Sequence, residues 1–292
     1  MKIVITGSLG NISKPLSEQL IENGDSITII SNNAGRQIEI ENIGAIPAIG
    51  SLHDAAFLKE SFMGADAAFC MIPPDYTQPD QIAYYRRLGE NYKEAILETG
   101  VKRVVHLSSV GAHLSSGTGF ITGSYHVEQI LNTIGHIQLT HIRPTFFYYN
   151  LLAFIPMIKS AGFIGAVYGG ADRLPLVSPI DIADAVAQEI VKTGHTQLIR
   201  YVGSDDRSCS EVASIIGKAI GKPELKWLTL TKQDAEKSLL KNGLSQEYVE
   251  KMLELGNALH TGKLHEDYDL HTPELGKVKM EEYAVKFAAL FD

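Results

Sequence analysis

The residues best placed to do chemistry stand at the start of the chain. Thr6-Gly7-Ser8-Leu9-Gly10-Asn11-Ile12-Ser13 follows the β-branched run Ile3-Val4-Ile5. It leads into apolar residues at helical spacing: Ile12, Leu16, Leu20 and Ile21. A strand, a glycine turn and a helix start leave backbone N–H groups aimed at one spot, where a phosphate group is attracted. In a dinucleotide site of this kind Gly7 permits the tight turn and Gly10 lets the backbone approach the pyrophosphate. Ser13 occupies the position of the usual third glycine, and it is small enough to keep helix and strand close. Gly7 and Gly10 are therefore candidate cofactor contacts.

A second feature concerns the cofactor's adenosine end. The next strand, Ile27–Ile30, runs into Ser31-Asn32-Asn33, and no acidic residue follows before Glu39. A site for NAD commonly places Asp or Glu there to take the ribose hydroxyls. Arg36 lies just beyond, and a guanidinium forks onto phosphate oxygens. Asn32 and Arg36 join the candidates. NADP(H) is the expected cofactor and NAD(H) the alternative; the bland reading of Arg36 is a solvated loop charge.

The elements that must hold these residues alternate. Strands are expected at Ile3–Ile5, Ile27–Ile30, Ile46–Ile49, Ala67–Ile72, Arg103–Leu107 and Leu139–Ile142. Helices are expected at about 12–21, 55–62, 81–98 and 124–133, with Asp54 as a cap. Pro47 argues that the third strand lies at an edge. Pro15 fits only in a helix's first turn. This alternation predicts an α/β fold, a doubly wound parallel sheet (Rossmann fold) with right-handed crossovers. Beyond residue 150 helices dominate, at about 151–161, 180–192, 210–220, 232–241, 246–255 and 279–291. Strands at 198–202 and 225–230 interrupt them. The expected organisation is an NADP(H)-binding domain over 1–150, completed by a strand near 198–203. A smaller, mostly helical substrate lobe over 151–292 is interleaved with it.

Composition narrows the function classes. With 292 residues and 45% hydrophobic side chains the chain can bury a sizeable core. A formal net charge of −8 and the lack of a Lys/Arg block argue against nucleic-acid partners. The N-terminus lacks a signal-peptide pattern and no apolar run is long enough for a membrane span, so a cytoplasmic protein is expected. Two cysteines, Cys70 and Cys209, make neither a zinc motif nor a disulfide framework. Cys70, inside Ala67-Ala68-Phe69-Cys70-Met71-Ile72, reads as a small buried hydrophobe.

Taken in order, these motifs resemble the NmrA-like group of atypical short-chain dehydrogenases, and most the NAD(P)H:quinone oxidoreductase type 2 branch. The resemblance is carried by Thr6-Gly7-x-x-Gly10, Gly50-x-x-x-Asp54, Leu107-Ser108-Ser109, Arg143-Pro144 with Asn150, Ile180-Asp181-Ile182-Ala183-Asp184, and the segment Leu228–Leu255. It implies further cofactor contacts at Ser8, Leu9, Asn11 and Ile12 beside Gly7 and Gly10, and at Met71, Ile72 and Pro73, with Ser108 on the nicotinamide side. Active dehydrogenases of the superfamily use a Tyr with a Lys four residues on, the Lys lowering the phenol's pKa. Here the stretch is Tyr125-His126-Val127-Glu128-Gln129, and Gln129 carries no charge to do so. Epimerisation and alcohol oxidation by that route are therefore not expected.

Quinone reduction asks less: hydride from the nicotinamide, and hydrogen-bond donors for the developing oxyanion. Tyr125, His126 and Asn150 are the candidate catalytic residues, with Tyr148 a further donor, and Phe146-Phe147-Tyr148-Tyr149 could line a flat slot. The leading expectation is an NADPH-dependent reductase of quinones or similar small electron-poor carbonyl compounds, acting without flavin or metal as a monomer or homodimer. The alternative is a non-catalytic NADP(H)-binding redox sensor that signals to a protein partner; a nucleotide-sugar epimerase is a weaker one. His260, His265 and His271 fit no metal spacing and read as part of an exposed acidic loop. Ser108-Ser109 lacks the G-x-S-x-G elbow of a hydrolase. Asp205-Asp206-Arg207 reads as a solvated turn before a helix capped near Ser208.

Overall fold

The protein is described by a computed structural model covering residues 1–75, 77–194, 198–241 and 243–291. The first half alternates as expected. In chain order it comprises β1 (Lys2–Ile5), α1 (Ser13–Glu22), β2 (Ser26–Ser31), α2 (Gln37–Asn42), β3 (Ile46–Ile49), α3 (Ala55–Phe62), β4 (Ala67–Cys70), α4 (Gln81–Thr99), β5 (Arg103–Leu107), α5 (Ile121–Asn132) and β6 (Gln138–Pro144). There follow β7 (Phe146–Phe147), a 3-10 stretch Tyr148–Phe154, α6 (Ile155–Ala161), β8 (Ile164–Ala166), β9 (Arg173–Val177), α7 (Pro179–Ile190), β10 (Ile199–Val202), β11 (Asp205–Ser208) and α8 (Cys209–Ala219). The chain ends with β12 (Trp227–Thr229), α9 (Lys232–Lys241), α10 (Gln246–His260), α11 (Glu266–Leu270) and α12 (Met280–Phe291).

Seven strands form one sheet in the order β10-β6-β5-β4-β1-β2-β3. The pairs β1–β2, β2–β3, β1–β4, β4–β5 and β5–β6 are all parallel. From β1 the chain winds outward to β3, then returns to β4 on the other side of β1 and winds the opposite way. The winding reverses between β1 and β4, and at such a switch point a crevice opens beyond the strands' carboxyl ends. The buried runs of β1, β4 and β5 explain why these strands read as unbroken apolar stretches: helices cover both faces. β3, with Pro47, is the edge strand. On one face Leu58, Phe62, Leu88, Tyr92, Ile96 and Val127 pack against Val4, Ala68 and Val104.

The chain forms two compact units, each built from separate stretches: residues 1–112, 123–143 and 182–200, and residues 113–122, 144–181 and 201–292. The second holds a three-stranded sheet, β11-β9-β7, and the pair β12–β8.

Four local readings of the sequence change. Helix α5 begins at Ile121, not Ser124. Gly123 belongs inside it, because a Cβ there would lie 2.9 Å from the Tyr85 ring: the glycine marks close helix packing, not a loop. The segment after β2 forms a 3-10 turn, Ala34–Arg36, opened by Asn33 accepting from the Gly35 N–H at 2.9 Å, and continues as α2. Asp205-Asp206-Arg207 is strand β11, paired antiparallel with β9. Asp205 is buried and accepts from the Met280 N–H at 3.0 Å. The 260–271 segment is largely helical, with His265 buried. His260 pairs with Asp172, and His271 with the Asp267 carbonyl. No described helix is long and apolar enough to cross a membrane.

Candidate functional site

The switch point is organised around Thr6. Its N–H bonds to the Phe69 carbonyl on β4 at 3.1 Å, and two residues later the Ser8 N–H bonds to the Ile30 carbonyl on β2 at 3.1 Å. The turn between them therefore swings across β1. Gly7 makes it at φ +95°, and a Cβ there would meet Ser13 Oγ at 2.6 Å and Met71 Sδ at 2.9 Å. Both conformation and space exclude a side chain. Ser8 is the one non-glycine residue at positive φ among the described residues, at +55°, and its Oγ bonds to Ser31 Oγ at 2.9 Å. Such a conformation costs on the order of 1–3 kcal/mol and persists where the surroundings enforce it. Ser13 donates its hydroxyl to the Thr6 carbonyl at 2.8 Å, so the third motif position tolerates a serine because the buried Oγ has a partner.

Helix α1 then starts without a side-chain cap: its N-cap is Ile12, and no acid lies in the first turn. α2, α6 and α11 likewise lack a side-chain cap, whereas α3, α4, α8 and α10 are capped by Asp54, Asp80, Ser208 and Ser245. An uncapped positive helix end behind a glycine turn is suited to an external anion.

On the β2 side a groove of about 350 Å³ is lined by Leu9, Lys14, Arg36, Glu39, Asn42 and Ile43. Arg36 Nη1 pairs with Glu39 Oε2 at 3.2 Å, and Lys14 Nζ stands 3.9 Å from Glu18. Asn32, at the end of β2, is exposed. Lys14 was missed by sequence reasoning, yet it carries a signal. A cation in the first turn of a helix opposes the helix dipole, which is tolerable where an anion joins it.

On the β4 side the loop after Cys70 is held by its backbone. The Met71 N–H donates to Thr6 Oγ1 at 2.8 Å. The carbonyls of Met71, Ile72 and Pro73 accept from three phenols of α4: Tyr92 at 2.7 Å, Tyr85 at 3.4 Å and Tyr84 at 3.0 Å. Burial raises the Tyr92 phenol well above its ordinary range, so it stays a donor. These tyrosines, too, escaped the sequence reading, which gave 81–98 only as a helix. Tyr84 and Tyr92, eight residues apart, fall on one face.

Ser108 follows β5, with its N–H on the Ile142 carbonyl at 2.7 Å. Its Oγ donates to Glu128 Oε1 at 2.5 Å, and Arg143 grips the same carboxylate through Nε at 2.9 Å and Nη2 at 2.6 Å. All three residues are buried. Tyr125 and His126, on α5, are half-buried, their rings edge to face at 5.3 Å. Desolvation, with Arg86 nearby, lowers the His126 pKa, so its imidazole is neutral at pH 7. Gln129 is exposed. In the second unit Asn150 is exposed, and Phe147 and Tyr149 stack at 5.1 Å. Tyr148 is not an available donor: it is fully buried, stacks on Tyr283, and gives its hydroxyl to the Val278 carbonyl at 3.0 Å.

Comparison with known proteins now adds a decisive observation: the profile of the NmrA-like family matches residues 1–284. The chain belongs to the NmrA-like family. Within the reach of that family, it is 27% identical over 223 residues to the (4-alkanoyl-5-oxo-2,5-dihydrofuran-3-yl)methyl phosphate reductase of Streptomyces griseus subsp. griseus, covering 76% of this chain and 74% of the relative. It is 25% identical over 254 residues to the NAD(P)H azoreductase of Xenophilus azovorans, covering 87% and 85%. The fold superposes on an NADPH-dependent quinone oxidoreductase from Escherichia coli complexed with NADPH, with a TM-score of 0.80 at 20% identity over 99% of this chain and 100% of that one.

Proposed function

We propose that this NmrA-like protein is an NADPH-dependent reductase that passes hydride directly to a quinone or a similar small electron-poor carbonyl compound. The observation that carries the reading is the continuity of the uncapped α1 terminus, the glycine turn and the groove holding Lys14 and Arg36. These residues fit a dinucleotide phosphate. Gly7 and Gly10 leave both ends of the turn without side chains, and the first turn of α1 offers its N–H groups to the pyrophosphate. Arg36 and Lys14 supply positive charge for the 2′-phosphate, and Met71, Ile72 and Pro73 form the opposite wall with their carbonyls already taken by α4. When bound, NADPH supplies the hydride.

The rest of the chemistry falls to hydrogen bonding. Neutral His126 and the Tyr125 phenol are the donors proposed for the acceptor's developing charge. The reductases that this chain resembles are named for a dihydrofuranone phosphate, azo compounds and a quinone. Acceptors of these kinds take hydride into a polarised π system, so a strong acid poised by a lysine is not required. Stopped-flow oxidation of NADPH across a panel of simple quinones tests the proposal, and no acceleration over buffer would refute it. One observation favours the second reading, a non-catalytic NADP(H) sensor: Gln129 is exposed and uncharged where dehydrogenases carry the activating lysine. A sensor would bind NADPH in calorimetry and consume none.

A further inference from the structure

We propose that Glu128 and Arg143 are positioning residues for the cofactor: they fix the Ser108 hydroxyl as a hydrogen-bond acceptor that takes the carboxamide N–H of the nicotinamide. This rests on the NADP(H) reading above and adds to it a specific partner for the reactive ring.

The Glu128 carboxylate, gripped by Arg143 at 2.9 and 2.6 Å, has only lone pairs to offer. Ser108 Oγ, 2.5 Å from Glu128 Oε1, must therefore be the donor, and a hydroxyl has one proton to give. What Ser108 retains is lone pairs, so it can meet a third group only by accepting. The guanidinium fork holds the carboxylate in one orientation, and the Ser108 N–H, bound to the Ile142 carbonyl at 2.7 Å, holds the backbone. The hydroxyl is thus set in direction and in polarity before anything binds.

Position supplies the ligand. The cationic groove lies on the β2 side of the switch point and takes the adenosine end. A dinucleotide lies across such a crevice, so its nicotinamide end belongs on the β4 and β5 side. Ser108 is the residue immediately beyond β5, one strand spacing of about 4.8 Å from β4. A nicotinamide carries one strong donor, the carboxamide NH₂, and an acceptor-only hydroxyl is matched to it. The alternative, that the trio merely ties α5 to β5 and β6, predicts instead that Ser108→Ala costs stability and leaves the affinity for NADP+ unchanged.

The test is binding of three probes to the wild-type chain and to Ser108→Ala. NADP+ should bind Ser108→Ala about three- to tenfold more weakly, the range of one neutral hydrogen bond. The affinity of 2′-phospho-ADP-ribose, which has no nicotinamide, should stay within twofold. The 3-acetylpyridine analogue of NADP+ replaces the NH₂ with a methyl group. It should bind the wild type three- to tenfold more weakly than NADP+, and the gap should close in Ser108→Ala. Ser108→Thr, which keeps a hydroxyl, should restore the gap. Glu128→Leu removes the acceptor, frees the serine proton and should close the gap as well; if that variant fails to fold, the serine series still decides. Equal losses for NADP+ and 2′-phospho-ADP-ribose, or a gap that persists in Ser108→Ala, would overturn the inference and leave the cofactor reading standing. Failure of the wild type to bind either compound would overturn both.

Discussion

Arg36 sets the sharpest quantitative demand on the cofactor reading. Replacing it with alanine should weaken NADPH and spare NADH. A unit charge about 4 Å from another is worth roughly 1 kcal/mol in bulk water and about 4 kcal/mol at the effective dielectric of a protein surface. The Arg36 side chain is 42% exposed, which places it toward the weaker limit. It also starts in partnership with Glu39 at 3.2 Å, so an incoming 2′-phosphate must compete for it. Against that, the phosphate carries more than one charge and accepts the guanidinium fork. The balance is about 1–2 kcal/mol, or roughly a 5- to 30-fold rise in the NADPH dissociation constant. NADH, lacking the phosphate, should change by less than twofold. Titration calorimetry at two ionic strengths reads both quantities, and the NADPH effect should shrink as salt rises. Equal effects on the two cofactors, or none on NADPH, would show that the groove does not hold the 2′-phosphate. Glu39→Gln gives the complementary sign: removing the competing carboxylate should tighten NADPH severalfold.

Other consequences follow from the same geometry. Gly7→Ala puts a methyl group against Ser13 Oγ and Met71 Sδ at φ +95°, so NADPH binding should fall below detection and the melting temperature should drop. Tyr92→Phe removes the phenol donor from the Met71 carbonyl, which Thr6 Oγ1 also reaches at 3.3 Å, and should cost about 0.5–1.5 kcal/mol in denaturant unfolding, with weaker NADPH binding. The buried pair His106 and His141, with Nδ1 atoms 3.0 Å apart, predicts acid lability. Burial lowers both to about 3, His106 helped by His141 and His141 by Arg143. The folded pKa values lie below the unfolded value near 6.5, so the unfolded chain takes up protons that the native chain refuses. Stability should be full above pH 6.5 and decline as pH falls toward 3, by about 1.4 kcal/mol per pH unit for each histidine. Urea midpoints between pH 7 and 5, above the main carboxylate range, measure it; a flat profile there would contradict the burial.

The parts of this molecule that the sequence made legible are those whose signal is local. Ile3–Ile5, the glycine turn and the Asp54 cap each announce themselves within a few residues, and the repeated alternation leaves little choice of sheet topology. The second unit was harder to read because its strands are short and stand against their composition. β9 carries a proline, and β11 reads Asp-Asp-Arg-Ser. Asp205 is buried there because the Met280 N–H reaches it from 75 residues away, a fact that no window along the chain contains. Gly123 misled for the same reason, since its cause is the Tyr85 ring on another helix. The same limit applied to the site. Gly7 and Arg36 were named from motif and position and Ser108 from the family resemblance, and Lys14 was legible locally but overlooked, whereas Glu128, Arg143 and the α4 tyrosines act through distant partners.

The most instructive residue is Gln129. Read as a missing lysine, it argues only for lost function. In the structure it is exposed, while its neighbour Glu128 is buried in a bidentate pair with Arg143. The charge on this stretch of α5 is thus invested inward, in a network that ends at Ser108. Burying two ions costs several kcal/mol in desolvation, and a well-packed apolar pair of the same volume would often serve the fold as well or better. Fixing a hydroxyl at the carboxyl end of β5 is a role that an apolar pair could not perform. A site built this way invests in orientation, not in proton supply. That suits reactions in which a well-aimed hydride is the hard step and the proton can come from water, and it is why the absence of a lysine at position 129 is compatible with reduction of an electron-poor acceptor.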